Sequence, residues 1–150
     1  MINALDLMPL KKLRENSKPL WGTMSAQHMV EHVCLAVQLS NGNLVINEYM
    51  TSEEKLPLLK RVLMSSRPLP KNFTNTVIGE GLKPLRNVNL DSAISELKNE
   101  LSQIDIYFEE NINAQPVNPT FGPLNKEEWI QFHKKHLTHH FTQFGLVEEK

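Results

Sequence analysis

Histidine is the residue whose placement could do chemistry in this chain. Four of the six histidines fall within eight residues, at His133, His136, His139 and His140, and the other two are His28 and His32. A neutral imidazole is a good ligand for divalent transition metals. On a helix, side chains at i and i+4 lie over adjacent turns, close enough to share one ion. His136 and His140 have that spacing, and so do His28 and His32. At roughly 100° per residue, His133, His136 and His140 share an arc of about 60°, with His139 about 60° beyond it. Trp129 and Phe144 lie on the same stripe, so the histidine face is also the face that turns to a core.

One helix supplies two ligands, whereas a catalytic metal site takes three protein ligands and keeps a position for water or substrate. The third must come from the other pair. His32 lies one turn deeper than His28 and is flanked by Met29 and Ala36 on its own face. The expected ligand set is therefore His32, His136 and His140, holding a divalent metal such as Zn or Ni. Two residues are expected to support the site without ligating. Gln143 would orient a ligand or substrate, and His133 would donate to nearby carboxylates, unless it is simply exposed. His28 is expected at the surface or on a pocket rim, and His139 in packing or against a partner. Cys34 sits about 200° around the helix from His32 and points away, as a buried structural thiol would. Glu31 and Glu128 are the nearest general-base candidates, but each also suits a solvated or capping role.

The elements that must carry these side chains are legible in pattern and punctuation. Leu5 to Glu15 suits a short first helix, closed at Asn16 to Pro19. Ser25 is a good N-cap for a helix bearing Met29, Val33, Ala36 and Val37, which runs to Asn41-Gly42. Asn43 to Met50 reads as a short strand or a linker. Thr51 or Ser52 starts a further helix ending near Met64, and Ser65 to Leu90 is a long irregular excursion with three prolines and two glycines. Ile94, Leu97, Leu101, Ile104 and Phe108 step by three and four, the stripe of a helix facing a bundle. Ala114 to Leu124 is another loop broken by Pro and Gly. Asn125 with Glu128 forms a capping-box pattern for the last helix, which Gly145 ends. The sum is an all-α fold, a four-helix bundle with long irregular connections, in one domain over residues 1–150.

Composition excludes several function classes. Sixteen basic and seventeen acidic residues give a net charge of −1, which offers no field for nucleic acid or an anionic membrane. No apolar run approaches the roughly 18 residues of a membrane span. With one cysteine there is no internal disulfide framework, and the N-terminus lacks the order of a signal peptide, so cytoplasm is the expected compartment. There is no glycine-rich phosphate loop, dinucleotide fingerprint, G-x-S-x-G or H-E-x-x-H motif.

The chain resembles the DinB/YfiT-like metalloenzymes, more specifically a branch defined as a domain of unknown function. The residues that carry the likeness are Trp21-Gly22-x-Met24-x-Ala26-x-x-Met29-x-x-His32, then Asn118-Pro119-x-Phe121-Gly122-Pro123-Leu124 through Glu128-Trp129. They end with His136-x-x-His139-His140-x-x-Gln143-Phe144-Gly145. The resemblance implies a four-helix bundle with one metal ligand on the second helix and an H-x-x-x-H pair on the last, positions that fall on His32, His136 and His140. Asn118 departs from the pattern, which has a histidine before the proline. The resemblance also implies metal-dependent transfer of low-molecular-weight thiols, or hydrolysis or isomerisation of small molecules, and a homodimer.

Two functions of different class follow. One is a metal-dependent enzyme of hydrolase or thiol S-transferase type acting on a small molecule. Its metal would lower the pKa of bound water or thiol to near neutrality. The other is a non-catalytic, dimerising helical-bundle module with a structural or vestigial metal site.

Overall fold

The computed structural model describes residues 5–71 and 82–148. Four helices and one small two-stranded sheet account for its regular structure among those residues: α1 (Ala26–Ser40), α2 (Leu56–Met64), α3 (Leu90–Glu110), β1 (Val117–Asn118), β2 (Gly122–Pro123) and α4 (Lys126–Gln143). Two short 3₁₀ turns, Met8–Lys12 and Glu53–Lys55, precede α1 and α2.

Each long helix starts where a side chain can satisfy its free N–H groups. Ser25 accepts from the His28 amide ahead of α1. Asn89 accepts from the Ser92 amide ahead of α3. Asn125 and Glu128 form the reciprocal capping box ahead of α4. An N-cap of this kind is worth ~1 kcal/mol. At the other end of α1 the chain turns through Gly42, whose φ is +83°. A Cβ there would lie 2.6 Å from Cε1 of Tyr107, so both backbone and neighbour demand glycine.

Helix α1 packs on both α3 and α4, and α2 packs on α4. The core lies between them: Met29, Val30, Val33 and Val37 from α1, Leu97, Leu101, Ile104 and Phe108 from α3, and Trp129, Phe132, Leu137 and Phe141 from α4. Trp129 is fully buried because its indole N–H donates to the Pro116 carbonyl at 2.9 Å. Two buried carboxylates tie the connections down. Glu100 of α3 accepts from the side chains of Gln38, Asn41 and Asn43. Glu31 of α1 accepts from Gln27, from the backbone amides of Arg86 and Asn87, and from the Asn87 side chain.

Two segments differ from the expectation. Leu5 to Glu15 holds only the 3₁₀ turn Met8–Lys12 rather than a full helix. Its apolar residues explain this: Leu7, Leu10 and Leu13 step by three, and all three meet the core, which matches three residues per turn rather than 3.6. The expected loop at Ala114 to Leu124 contains β1 and β2, paired antiparallel with Val117 opposite Pro123 and Asn118 opposite Gly122. Part of the long excursion expected at Ser65 to Leu90, residues 72–81, lies outside the described residues. No helix among the described residues is long and apolar enough to cross a membrane.

Candidate metal centre

Helix α4 presents His136 and His140 on successive turns, and α1, packed alongside it, presents His32. Their rings converge. His136 Nε2 lies 3.1 Å from His32 Nε2 and 3.1 Å from His140 Nε2. The ring centroids are 4.7 to 5.0 Å apart, and the rings meet edge to face. One nitrogen from each residue lies within 4.8 Å of the other two; among the described residues this is the one cluster of three metal-competent side chains.

This spacing fits a metal. With metal–nitrogen bonds of about 2.0–2.1 Å, two imidazole nitrogens on one ion stand about 3.3 Å apart at a tetrahedral angle and about 2.9 Å apart at a right angle. The observed 3.1 Å falls between these limits. The donor chemistry agrees. Burial pushes the pKa values of His136 and His140 well below the ordinary imidazole value, and neighbouring imidazoles add to the shift. His32 is pushed down to about 4, first by burial and then by the charges of His139 and Lys83. All three rings are therefore neutral near pH 7, the form that ligates.

The tautomer of His140 follows from its hydrogen-bond chain. The Gln143 amide nitrogen donates to the Trp21 carbonyl at 3.0 Å, which leaves Gln143 Oε1 facing His140 Nδ1 at 2.7 Å. An amide oxygen only accepts, so His140 carries its proton on Nδ1 and turns a lone pair on Nε2 toward the other two rings. The loop before α1 completes this clamp. Leu20 donates its amide to the Gln143 carbonyl at 2.7 Å. Gly22, at φ +82°, lets the chain pass close: a Cβ there would come within 2.9 Å of Gln143 Nε2.

His136 poses the sharper packing question. Its Nε2 faces two neighbouring nitrogens, while its buried Nδ1 has no hydrogen-bond partner among the described residues. A single N–H on His136 Nε2 can serve only one of the two nitrogens facing it well. A shared cation satisfies all three lone pairs at once.

The remaining expected residues fall elsewhere. His133 neither donates to carboxylates nor is exposed. It is 1% exposed, with Nε2 2.8 Å from Ser40 Oγ. Because the Ser40 hydroxyl donates to the Val37 carbonyl at 2.7 Å, His133 is the donor in that pair. Burial without an ionic partner pushes its pKa down to about 3. His139 is buried, edge-on to both Trp21 and His140. His28 is half-buried, its Nδ1 2.6 Å from the Ser25 hydroxyl at the helix cap. Cys34 faces α3, where its thiol donates to Glu96; burial, the leading cause, pushes its pKa up to about 12. Asn118 is buried outside the cluster and accepts from the Thr120 and Phe121 amides at the turn of the β-hairpin.

Neither general-base candidate faces the cluster. Glu128 closes the capping box. Burial pushes the Glu31 carboxyl up, but its bonds from Gln27, Arg86 and Asn87 outweigh that and hold it below its ordinary value. The pairing of His133 with Ser40, 93 positions away in the chain, has no local spacing to signal it.

The family model described as "Protein of unknown function (DUF1569)" matches residues 6–146. The chain belongs to that family. No curated protein and no solved structure matches it. The matched span takes in all three clustered histidines as well as Trp21, Gly22 and Gln143, so the whole clamp falls within the family's domain.

Proposed function

We propose that His32, His136 and His140 hold a divalent metal, Zn or Ni, in a metal-dependent enzyme of hydrolase or thiol S-transferase type that acts on a small molecule. The observation that carries this is the convergence of three neutral imidazoles, with His136 Nε2 3.1 Å from each of the other two Nε2 atoms. When bound, such an ion lowers the pKa of a coordinated water or thiol toward neutrality. The chain's own residues do the rest. Gln143 holds the His140 tautomer, the loop through Trp21 and Gly22 holds Gln143, and the packing of α1 on α4 brings His32 to the pair.

In this reading the chain is one DinB/YfiT-like four-helix bundle, cytoplasmic and homodimeric, with no nucleic-acid or membrane partner. The low-molecular-weight thiol stays within the proposal as the substrate class that the DinB/YfiT resemblance implies. The test is to load tag-free protein with Zn²⁺ or Ni²⁺ and assay thiol transfer to a soluble electrophile alongside hydrolysis of small amides. Turnover lost on chelation and in His32→Ala supports the enzyme; turnover indifferent to both contradicts it.

A second reading keeps the metal and drops the turnover, leaving a dimerising module with a structural or vestigial site. The engagement of Glu31 and Glu128 in structural hydrogen bonds favours it. Bound metal that admits no exogenous ligand and supports neither reaction would select this alternative.

A further inference from the structure

Two of the clustered histidines are oriented by different means. His140 gives its Nδ1 proton to the Gln143 amide oxygen at 2.7 Å. His136 has no such acceptor, for its Nδ1 is buried without a hydrogen-bond partner among the described residues. A histidine that ligates through one nitrogen carries its proton on the other, and an acceptor there usually fixes the ring. At His136 an aromatic face stands in that role. Phe132 lies one turn earlier on α4, its ring centroid 5.0 Å from that of His136 and the two planes 30° apart. Helix side chains lean toward the N-terminus, so the imidazole at 136 comes down over the ring at 132. His32 and His140 meet the same imidazole edge to face, at 68° and 75°. Phe132 is itself fixed. It is buried, edge-on to Trp129 at 5.6 Å and to Phe121 at 5.9 Å. Phe121 comes from the turn between β1 and β2, where its amide donates to Asn118 Oδ1. The hairpin thus buttresses the ring that backs His136.

We propose that Phe132 is a positioning residue for the metal centre, holding His136 through its π face in a stack that tightens when His136 ligates a cation. This rests on the metal reading above and assigns part of the site's affinity to a residue that is not a ligand. The face of a phenyl ring carries negative charge and its edge positive. A divalent ion on Nε2 draws electron density out of the imidazole, so the loaded ring meets that face more favourably than the free one. An aliphatic side chain could fill the same space but would not distinguish the two states.

The test measures the Co²⁺ affinity of the full chain by visible absorption. Phe132 is replaced site-specifically by 4-fluorophenylalanine and by 3,4,5-trifluorophenylalanine, and separately in Phe132→Leu. Fluorine drains the π face while nearly preserving the ring's shape, so the packing stays and only the electrostatics change. Affinity should fall stepwise with the number of fluorines, about three-fold for the trifluoro ring, and about ten-fold in Phe132→Leu. Should Phe132→Leu fail to fold, the fluorinated pair still decides. Affinity that ignores fluorination in protein that binds Co²⁺, even where Phe132→Leu binds poorly, would reduce Phe132 to packing and overturn this proposal alone. Wild-type protein that binds no Co²⁺ overturns the metal reading first, and this proposal with it.

Discussion

Gln143 Oε1 lies 2.7 Å from His140 Nδ1, and the same amide donates to the carbonyl of Trp21. One side chain thus joins the loop ahead of α1 to the last turns of α4 and sets which nitrogen of His140 carries the proton. Partners of this kind on a metal-binding histidine typically change affinity about 10- to 100-fold when removed. Gln143→Ala should therefore weaken Zn²⁺ binding by that order while the far-UV circular dichroism stays helical. Competition against a chromophoric chelator measures it. Unchanged affinity would mean that His140 needs no orienting partner.

Gly22 tests the same clamp from the loop side. Its φ of +82° costs an L-residue roughly 1–2 kcal/mol, and a Cβ would sit 2.9 Å from Gln143 Nε2. Gly22→Ala should lower the urea midpoint and weaken Zn²⁺ binding together. A variant that loses stability yet binds metal normally would uncouple the loop from the site.

His133 shares a face with His136 and His140 but is bonded to Ser40, which separates a structural histidine from a ligand. Ser40→Ala leaves a buried N–H without its acceptor, at a cost of about 1–3 kcal/mol. Metal stoichiometry, measured at low temperature where the variant stays folded, should not change. Loss of metal from Ser40→Ala, with the helical signal intact, would bring His133 into the site.

The buried histidines give the metal-free protein a defined acid response. In the unfolded chain His133 takes up a proton near pH 6.5, whereas in the folded protein it does so only at about 3. Between those values the unfolded state binds more protons, so stability rises with pH there and is lost as pH falls. The slope for this residue approaches ~1.4 kcal/mol per pH unit. His32, held at about 4, acts in the same direction over a narrower window. Urea midpoints of metal-free protein should be flat from pH 8 to about 6.5 and fall steadily below it. A midpoint that holds level down to about pH 5 would mean that these rings are protonated in the folded state.

How much of this was readable in the residues depends on how local the signal is. The Asn125–Glu128 capping box and the i, i+4 step from His136 to His140 involve neighbours in sequence, and the structure contains both. His32 could be placed because the one-turn depth that separates it from His28 has a direct geometric meaning. The burial of His133 was implicit in its stripe with Trp129, but its partner Ser40 is far away in the chain and leaves no spacing to read. The hairpin of β1 and β2 has two residues per strand, too short for a period of two to show. At Leu7, Leu10 and Leu13 the apolar step of three belongs to a 3₁₀ turn, and over so few residues it does not separate from the 3.6 period of the short helix expected there.

The most direct measurement is elemental analysis of protein purified without a histidine tag and reconstituted with Zn²⁺ or Ni²⁺, for the wild type, His32→Ala and His140→Ala. About one divalent ion per wild-type chain, falling to a small fraction in both variants while their helical signal persists, is the expected result. Metal held at the wild-type level in both variants, or a wild type that retains none, would contradict a centre built from α1 and α4.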